Sequence, residues 1–266
     1  MNLADVKKSI VEGNGNTSVS IKIPSTGITY QFNPITVGVR KTLAKYSLNT
    51  YSKDALLNFQ VGKLALIKTL CTDEKFEEIN LTEVDFIYVL ACLRQFNLLD
   101  DFMVTALCPK CHKEVVHKLD LDAIVSRCEA FEHNTFEISK KDKKNNIWKF
   151  VLSDPTMYNV IILEKYLVDH DMDETDKDLM KPFLYIEKLY FNDELIEDFA
   201  KLNVIEKINF INDLDDRIMY AKTGVANTIN EKFADSFKIY DGIRCNNKDC
   251  DHTLEDIITS DSFFTF

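Results

Sequence analysis

Val19, Ile21 and Ile23 alternate with polar residues, and after Pro24-Ser25-Thr26-Gly27 the alternation resumes at Ile28, Tyr30 and Phe32. A period of two on both sides of a turn predicts a β-hairpin with one buried and one wet face. Beyond Pro34 the period lengthens. Val37, Leu43, Ala44 and Leu48 suit a first helix capped by Thr36. Asp54 opens a second, with Leu57, Val61, Leu64, Ala65 and the 66–70 stretch at helical spacing. Thr82, with Asp85 three residues on, starts a third helix through Phe86, Val89, Leu90 and Leu93. Alternation returns over 102–107 and 114–119, followed by a short helix over 120–128. Thr135–Ile138 and Ile147–Leu152 predict another hairpin, whose turn at 140–146 carries four lysines and reads as a solvated tip. Asp154-Pro155-Thr156 opens a helix running through Leu163 to Leu167. From 180 to 237 the pattern reads as helix, with Leu184, Leu189, Leu195, Phe199, Ile205, Ile208, Ile211 and Leu214 as core positions.

The turn between the runs at 102–107 and 114–119 holds Cys108-Pro109-Lys110-Cys111. A C-x2-C turn aims both thiols at one point, and two such pairs supply the four thiolates of a closed tetrahedral Zn²⁺ site. Pro109 stiffens the loop, where its missing N–H is not needed. The partner pair lies far downstream in a wider turn, Cys245-Asn246-Asn247-Lys248-Asp249-Cys250. Strand, knuckle, strand is half of a zinc ribbon, and the second pair completes it. All four cysteines sit in polar turns, where a buried core thiol would not be placed. The predicted metal ligands are therefore Cys108, Cys111, Cys245 and Cys250 around a structural zinc, since four sulfurs leave no position for water or substrate. His112, His117 and His252 lie near enough in sequence to replace a sulfur or to support one from behind, but the simpler reading is that they are ordinary strand or turn residues. The competing reading is two unrelated pairs of reduced thiols. Cys71, Cys92 and Cys128 fall on apolar helical stretches and read as core thiols.

Composition narrows the choice. The 266 residues, 45% hydrophobic and 28% charged, suffice for one large or two small cores. Met1-Asn2-Leu3-Ala4-Asp5 does not begin a signal peptide, so the seven cysteines are expected to be reduced, with metal binding favoured over disulfides. The formal net charge of −11 lacks the basic footprint of a nucleic-acid surface. No apolar run approaches the roughly 20 residues of a membrane span. No glycine-rich phosphate loop, G-x-S-x-G elbow or H-E-x-x-H helix occurs. His112-Lys113-Glu114 contains H-x-E, but it follows the cysteines instead of preceding a P-C-x-x-C as in zinc deaminases. Asp169-His170-Asp171-Met172-Asp173 starts like a calcium loop, then places Glu174 where glycine is needed and Met180 where the bidentate glutamate belongs. An enzyme is not expected.

The fold class that follows is α+β: antiparallel β-hairpins with a zinc-ribbon-like knuckle pair and a mostly helical remainder. The expected organisation is a flexible segment over 1–18, a hairpin, helices and first knuckle over 19–130, a second hairpin and helical region over 131–244, and the second knuckle and tail over 245–266.

Several stretches then stand in a telling order. They are Ile23-Pro24-Ser25-Thr26-Gly27 with Tyr30-Gln31-Phe32-Asn33-Pro34-Ile35-Thr36-Val37, then Asp85-Phe86-Ile87-Tyr88-Val89-Leu90 with Leu93-Arg94. Leu107-Cys108-Pro109-Lys110-Cys111 with Leu119-Asp120-Leu121, Asp154-Pro155-Thr156-Met157 and Phe263-Phe264 complete it. In that order they resemble the baseplate hub subunit and hub-assembly proteins of T4-like contractile-tailed phages. The chain departs from that family at Cys245–Cys250, where a tighter C-x2-C is the pattern, and at His112, where glycine is commoner. The resemblance implies a non-enzymatic structural or virion-assembly protein, made in the host cytoplasm and placed in the tail baseplate of the virion. Its partners would be other tail and baseplate hub proteins in a symmetric assembly, with no nucleic acid and no membrane span. The zinc would cross-link hairpins from opposite ends of the chain, because closing a loop of about 130 residues costs only logarithmically more entropy. The rival function is a zinc-ribbon adaptor for nucleic acid or the transcription machinery, with Lys113, His117 and Lys118 on the knuckle strands. The acidic net charge opposes it.

Overall fold

The first alternating stretch folds as the hairpin it predicts. β1 (Val19–Lys22) and β2 (Thr29–Phe32) pair antiparallel, Val19 opposite Phe32 and Lys22 opposite Thr29. In this computed structural model residues 18–39, 41, 55–97, 102–133, 135–214, 216–222, 224–233 and 242–254 are described. The expected N-terminal segment up to residue 17, the helix positions Leu43, Ala44 and Leu48, the Asp54 helix start and Phe263-Phe264 lie outside the described residues. Thr36 does act as a cap, its Oγ1 accepting from the Val39 N–H at 3.4 Å. The chain continues through α1 (Ala55–Leu70), α2 (Glu83–Asn97), β3 (Phe102–Leu107), β4 (Glu114–Leu119), α3 (Leu121–Ala130), β5 (Phe136–Lys141) and β6 (Ile147–Leu152). Next come α4 (Met157–Asp169), α5 (Glu174–Met180), β7 (Ile186–Phe191), β8 (Glu194–Leu195), α6 (Val204–Asn212), α7 (Asp216–Tyr220) and α8 (Val225–Phe233). The last pair is β9 (Ile243–Arg244) and β10 (Thr253–Leu254). The fold is α+β, and it divides into two compact units. Unit 1 takes Met1–Glu78, Val84–Phe131 and Lys238–Phe266; unit 2 takes Ile79–Glu83 and Glu132–Phe237.

Unit 1 carries three two-stranded antiparallel sheets, β1–β2, β3–β4 and β9–β10. Its first hairpin leans on the end of α1, where Asn33 N donates to Leu70 O and Thr72 N to Gln31 O. Phe76 meets Tyr30 and Phe32 edge-on, with ring centroids 4.7 and 5.7 Å away. Nearly every residue of α2 from Val84 to Leu93 is buried, the signature of a helix packed on all sides. On α1 the apolar stripe holds at Leu64, Leu66, Ile67 and Leu70, but Val61 is exposed. Asp120 caps α3 by accepting from Ala123 N. Tyr88 donates its hydroxyl to Glu129 at 2.9 Å, and Gln95 its amide to Asp122 at 2.6 Å, which ties α3 to α2.

Two thiols, Cys128 buried and Cys92 half-buried, give unit 1 a predictable alkaline limit. Burial pushes Cys92 up to about 11 and Cys128 up to about 12. Unfolded thiols ionise from pH ~8.5 upward. A folded value above the unfolded one stabilises fully below the unfolded value and is lost as pH rises toward the folded one. Unfolding free energy from urea titrations should therefore fall between about pH 9 and pH 11, by about 1.4 kcal/mol per pH unit for each such thiol. Cys128→Ala should remove one thiol's share of that slope; an unchanged slope would show that its burial does not govern its ionisation.

Unit 2 is built on a four-stranded antiparallel sheet in the order β5-β6-β7-β8. Ile138 pairs with Phe150 and Phe150 with Leu189, and these join Leu163 and Leu167 of α4 and Ile208 and Ile211 of α6 in one core. Helices thus cover one face of the sheet. Here the expected helix over 180–237 needs correction. Ile186–Phe191 is a strand, Glu194–Leu195 returns beside it, and Leu195 is 42% exposed instead of core. Asn192 and Asp193 between them both have positive φ, 48° and 68°, the left-handed pair of a tight two-residue hairpin turn. Against β6 the register shifts between Val151 and Leu152, which face Lys188 and Ile186, so Glu187 bulges out of the ladder. Lys207 compensates. It is only 5% exposed, and its Nζ donates to Ile186 O at 2.7 Å.

Candidate metal centre

β3 and β4 pair from Phe102–Leu119 to Leu107–Glu114, so the turn between them begins at Cys108. The turn is closed by Cys108 N donating to Lys113 O and His112 N to Cys108 O, at 2.9 and 2.8 Å. His112 takes φ 55°, the left-handed region that glycine adopts without cost. The second turn is framed by β9 and β10, where Ile243 faces Leu254 and Arg244 faces Thr253. Cys245 N donates to His252 O and Cys250 N to Asn247 O, both at 2.9 Å. The wider C-x4-C loop is thereby folded tightly enough to bring its two sulfurs together.

Both turns converge. Cys108 Sγ lies 3.8 Å from Cys250 Sγ, and Cys111 Sγ lies 3.7 Å from Cys245 Sγ. All four sulfurs fall within 4.8 Å of one another, and no other such group of potential ligands occurs among the described residues. A tetrahedral Zn²⁺ with bonds of about 2.3 Å would hold its sulfurs about 3.8 Å apart. A disulfide would require about 2.05 Å. The donor set therefore fits a metal ion and not a bridge. Cys108, Cys245 and Cys250 are buried and Cys111 is partly exposed. His112, His117 and His252 stand outside the group. Cys128 is a buried thiol, while Cys71 and Cys92 are only partly covered.

The electrostatics point the same way. The Lys113 backbone N–H pulls the Cys111 thiol down to about 6, helped by hydrogen bonds from Cys245 and Cys108. At Cys245 and Cys250 the N–H groups of Asn247 and His252 favour the thiolate, yet burial and the crowd of neighbouring thiols raise both. One negative sulfur is stable in this nest without help; four require a cation. Two further contacts join the turns from outside. Lys110 pairs with Asp251, and Lys113 Nζ donates to Asn247 Oδ1 at 3.1 Å. Sequence reading missed both, because nothing in a turn's composition says which lysine will face which acceptor.

Gly242 sets up the second turn. Its φ is +101°, and a Cβ there would lie 2.8 Å from Thr253 Cγ2 and 3.0 Å from Leu254 O. Gly242→Ala should cost about 1–2 kcal/mol of strain and contact. It should weaken metal retention in a chelator competition while leaving the stability of unit 2 unchanged. Equal retention by both proteins would mean that β9–β10 does not position Cys245 and Cys250.

The family described as T4 bacteriophage base plate protein matches residues 16–265, nearly the whole chain. The chain belongs to that family. No curated protein and no solved structure matches it. Membership in a phage baseplate family implies association with other tail proteins and a place in the virion tail. No helix among the described residues of this baseplate protein is long and apolar enough to cross a membrane.

Proposed function

We propose that this baseplate protein is a non-enzymatic structural or assembly component of the baseplate hub of a contractile tail, held in shape by a structural zinc on Cys108, Cys111, Cys245 and Cys250. The observation that carries the metal reading is the convergence of four sulfurs at tetrahedral spacing from turns more than 130 residues apart. Bound there, the ion cross-links the β3–β4 and β9–β10 hairpins, and with four sulfur ligands it leaves no open position for chemistry. The chain's own residues prepare the closure. Backbone N–H groups of Lys113, Asn247 and His252 point at the sulfurs, and Lys110 and Asp251 pair across the gap. The hub reading draws on the family and on a platform of hairpins that presents strand faces to neighbours. On the β3–β4 hairpin, Met103, Leu107 and Val116 are exposed, and a lone hairpin has no reason to keep them so.

Peptide mass spectrometry of gradient-purified phage particles tests this function. Recovery at a stoichiometry comparable to other tail-tip proteins makes it a virion component. Presence in infected lysates with absence from particles makes it an assembly factor. Absence from both would overturn the reading.

A further inference from the structure

Each sulfur of the β3–β4 turn touches one sulfur of the β9–β10 turn. Cys108 meets Cys250 at 3.8 Å and Cys111 meets Cys245 at 3.7 Å. These gaps exceed an S–S bond of about 2.05 Å by only about 1.7 Å. A bond closed across either gap would join the two hairpins, as a shared metal ion would.

Access to the four sulfurs is uneven. Cys108, Cys245 and Cys250 are buried, while Cys111 is partly exposed. An oxidant arriving from solvent therefore meets Cys111 first, with Cys245 in contact behind it. An accessible thiol poised beside a second thiol is the arrangement in which a sulfenic acid is captured as a disulfide before it oxidises further.

Groups other than sulfur also hold the turns face to face. Lys110 pairs with Asp251, and Lys113 Nζ donates to Asn247 Oδ1 at 3.1 Å. Exposed contacts of this kind contribute little to stability. They do fix which turn faces which, and they need neither a metal nor a thiolate. When ligation is lost, the sulfurs of opposite turns stay at high effective concentration for each other.

We infer that the four cysteines form a redox-convertible cross-link, in which a hydroperoxide turns the metal-bound cluster into two disulfides, Cys111–Cys245 and Cys108–Cys250, that keep β3–β4 joined to β9–β10 after the ion has left. This regulation rests on the metal reading of the same site. Its setting is the passage of a tail protein from a reducing cytoplasm, where thiolates persist, to the oxidising surroundings of a released virion. Written for thiols, the Cys111 sulfur attacks one oxygen of hydrogen peroxide, the O–O bond breaks, and a Cys111 sulfenic acid and one water result. The Cys245 sulfur then displaces the hydroxyl of that sulfenic acid, forming the S–S bond and releasing a second water. Each disulfide passes two electrons and two protons to one peroxide. Where the sulfurs begin as metal-bound thiolates, solvent supplies those protons. Cys108 and Cys250 follow with a second peroxide. Pairing within each turn, Cys108 with Cys111 and Cys245 with Cys250, would instead uncouple the hairpins.

Treating the purified full chain with two equivalents of hydrogen peroxide tests the inference. Elemental analysis should find one zinc per chain beforehand, and treatment should release it. Free thiols counted in denaturant should fall from seven to three, the four of the cluster having paired. Trypsin cuts after Lys110 and Lys248, so the four cysteines fall in four peptides and non-reducing mass spectrometry reads the pairing directly. Cys111–Cys245 should appear ahead of Cys108–Cys250, and β9–β10 should stay protected from hydrogen exchange in excess chelator. Dithiothreitol with added zinc should restore the starting protein. Pairing within the turns, Cys111 oxidised to a sulfinic acid without a disulfide, or loss of β9–β10 protection in a zinc-loaded chain would overturn the inference and leave the metal reading standing. A chain that carries no metal yet forms both cross-turn pairs would overturn the metal reading and leave the pairing supported.

Discussion

Chelation of the purified chain should release one metal ion per molecule and loosen unit 1, with β9–β10 no longer protected. Structural zinc in small domains contributes roughly 10 kcal/mol or more of binding free energy that appears as folding free energy. Unit 1 has a core of its own, including Phe32, Phe76, Phe86 and Leu90, so the loss should be local and not global. Cys108→Ser and Cys245→Ser should each abolish stoichiometric metal, because each removes one of four sulfurs that share one centre. Cys71→Ser, outside the group, should leave metal content intact. The result that would sink the shared site is a Cys245→Ser protein that keeps full metal at Cys108 and Cys111. Acid should act like a chelator, since protons compete for the thiolates and retention must fall with pH.

The parts of this chain that were legible beforehand are those whose determinants are local. β1–β2, β3–β4 and β5–β6 each pair across one turn, and alternation plus turn chemistry lies within a dozen or so residues. The sulfur cluster was legible for another reason: two short cysteine spacings state a geometry even when the distance between them is long. β7 was not legible. Its bulge at Glu187 changes the parity of the strand, so Ile186 and Leu189, three apart, both face the core. Three apart is a helical interval, and read along the chain it imitates a helix. The Asn192-Asp193 turn was the available signal against that reading. The buried Lys207 was invisible in the same way, since only the bulge creates the carbonyl it serves. On the metal site, the sulfurs could be read but their N–H donors and the Lys110–Asp251 pair could not, because both depend on how the turns fold back.

Replacing Asp85 should destabilise unit 1 by about 2–4 kcal/mol, the value of charge-assisted hydrogen bonds lost from a buried site. Asp85 is 0% exposed on a helix whose neighbours Val84, Phe86 and Val89 are also buried. Its carboxylate accepts from Ser25 N at 3.0 Å and Ser25 Oγ at 2.5 Å, sixty residues away in the β1–β2 turn. A carboxyl group in such surroundings is costly unless bonded, and the two Ser25 bonds offset part of that cost. Asp85→Ala removes both acceptors and frees the hairpin from α2. Asp85→Asn keeps one acceptor oxygen but presents an N–H₂ to a donor, so it should recover only part of the loss. Ser25→Ala should cost less, about 1 kcal/mol, because the backbone N–H bond survives. The decisive quantity is the coupling in the double-mutant cycle, which should reach at least about 1 kcal/mol in urea unfolding. Strict additivity would mean that Asp85 is held for its other contacts and that the hairpin stays docked through Phe76 and the end of α1 alone.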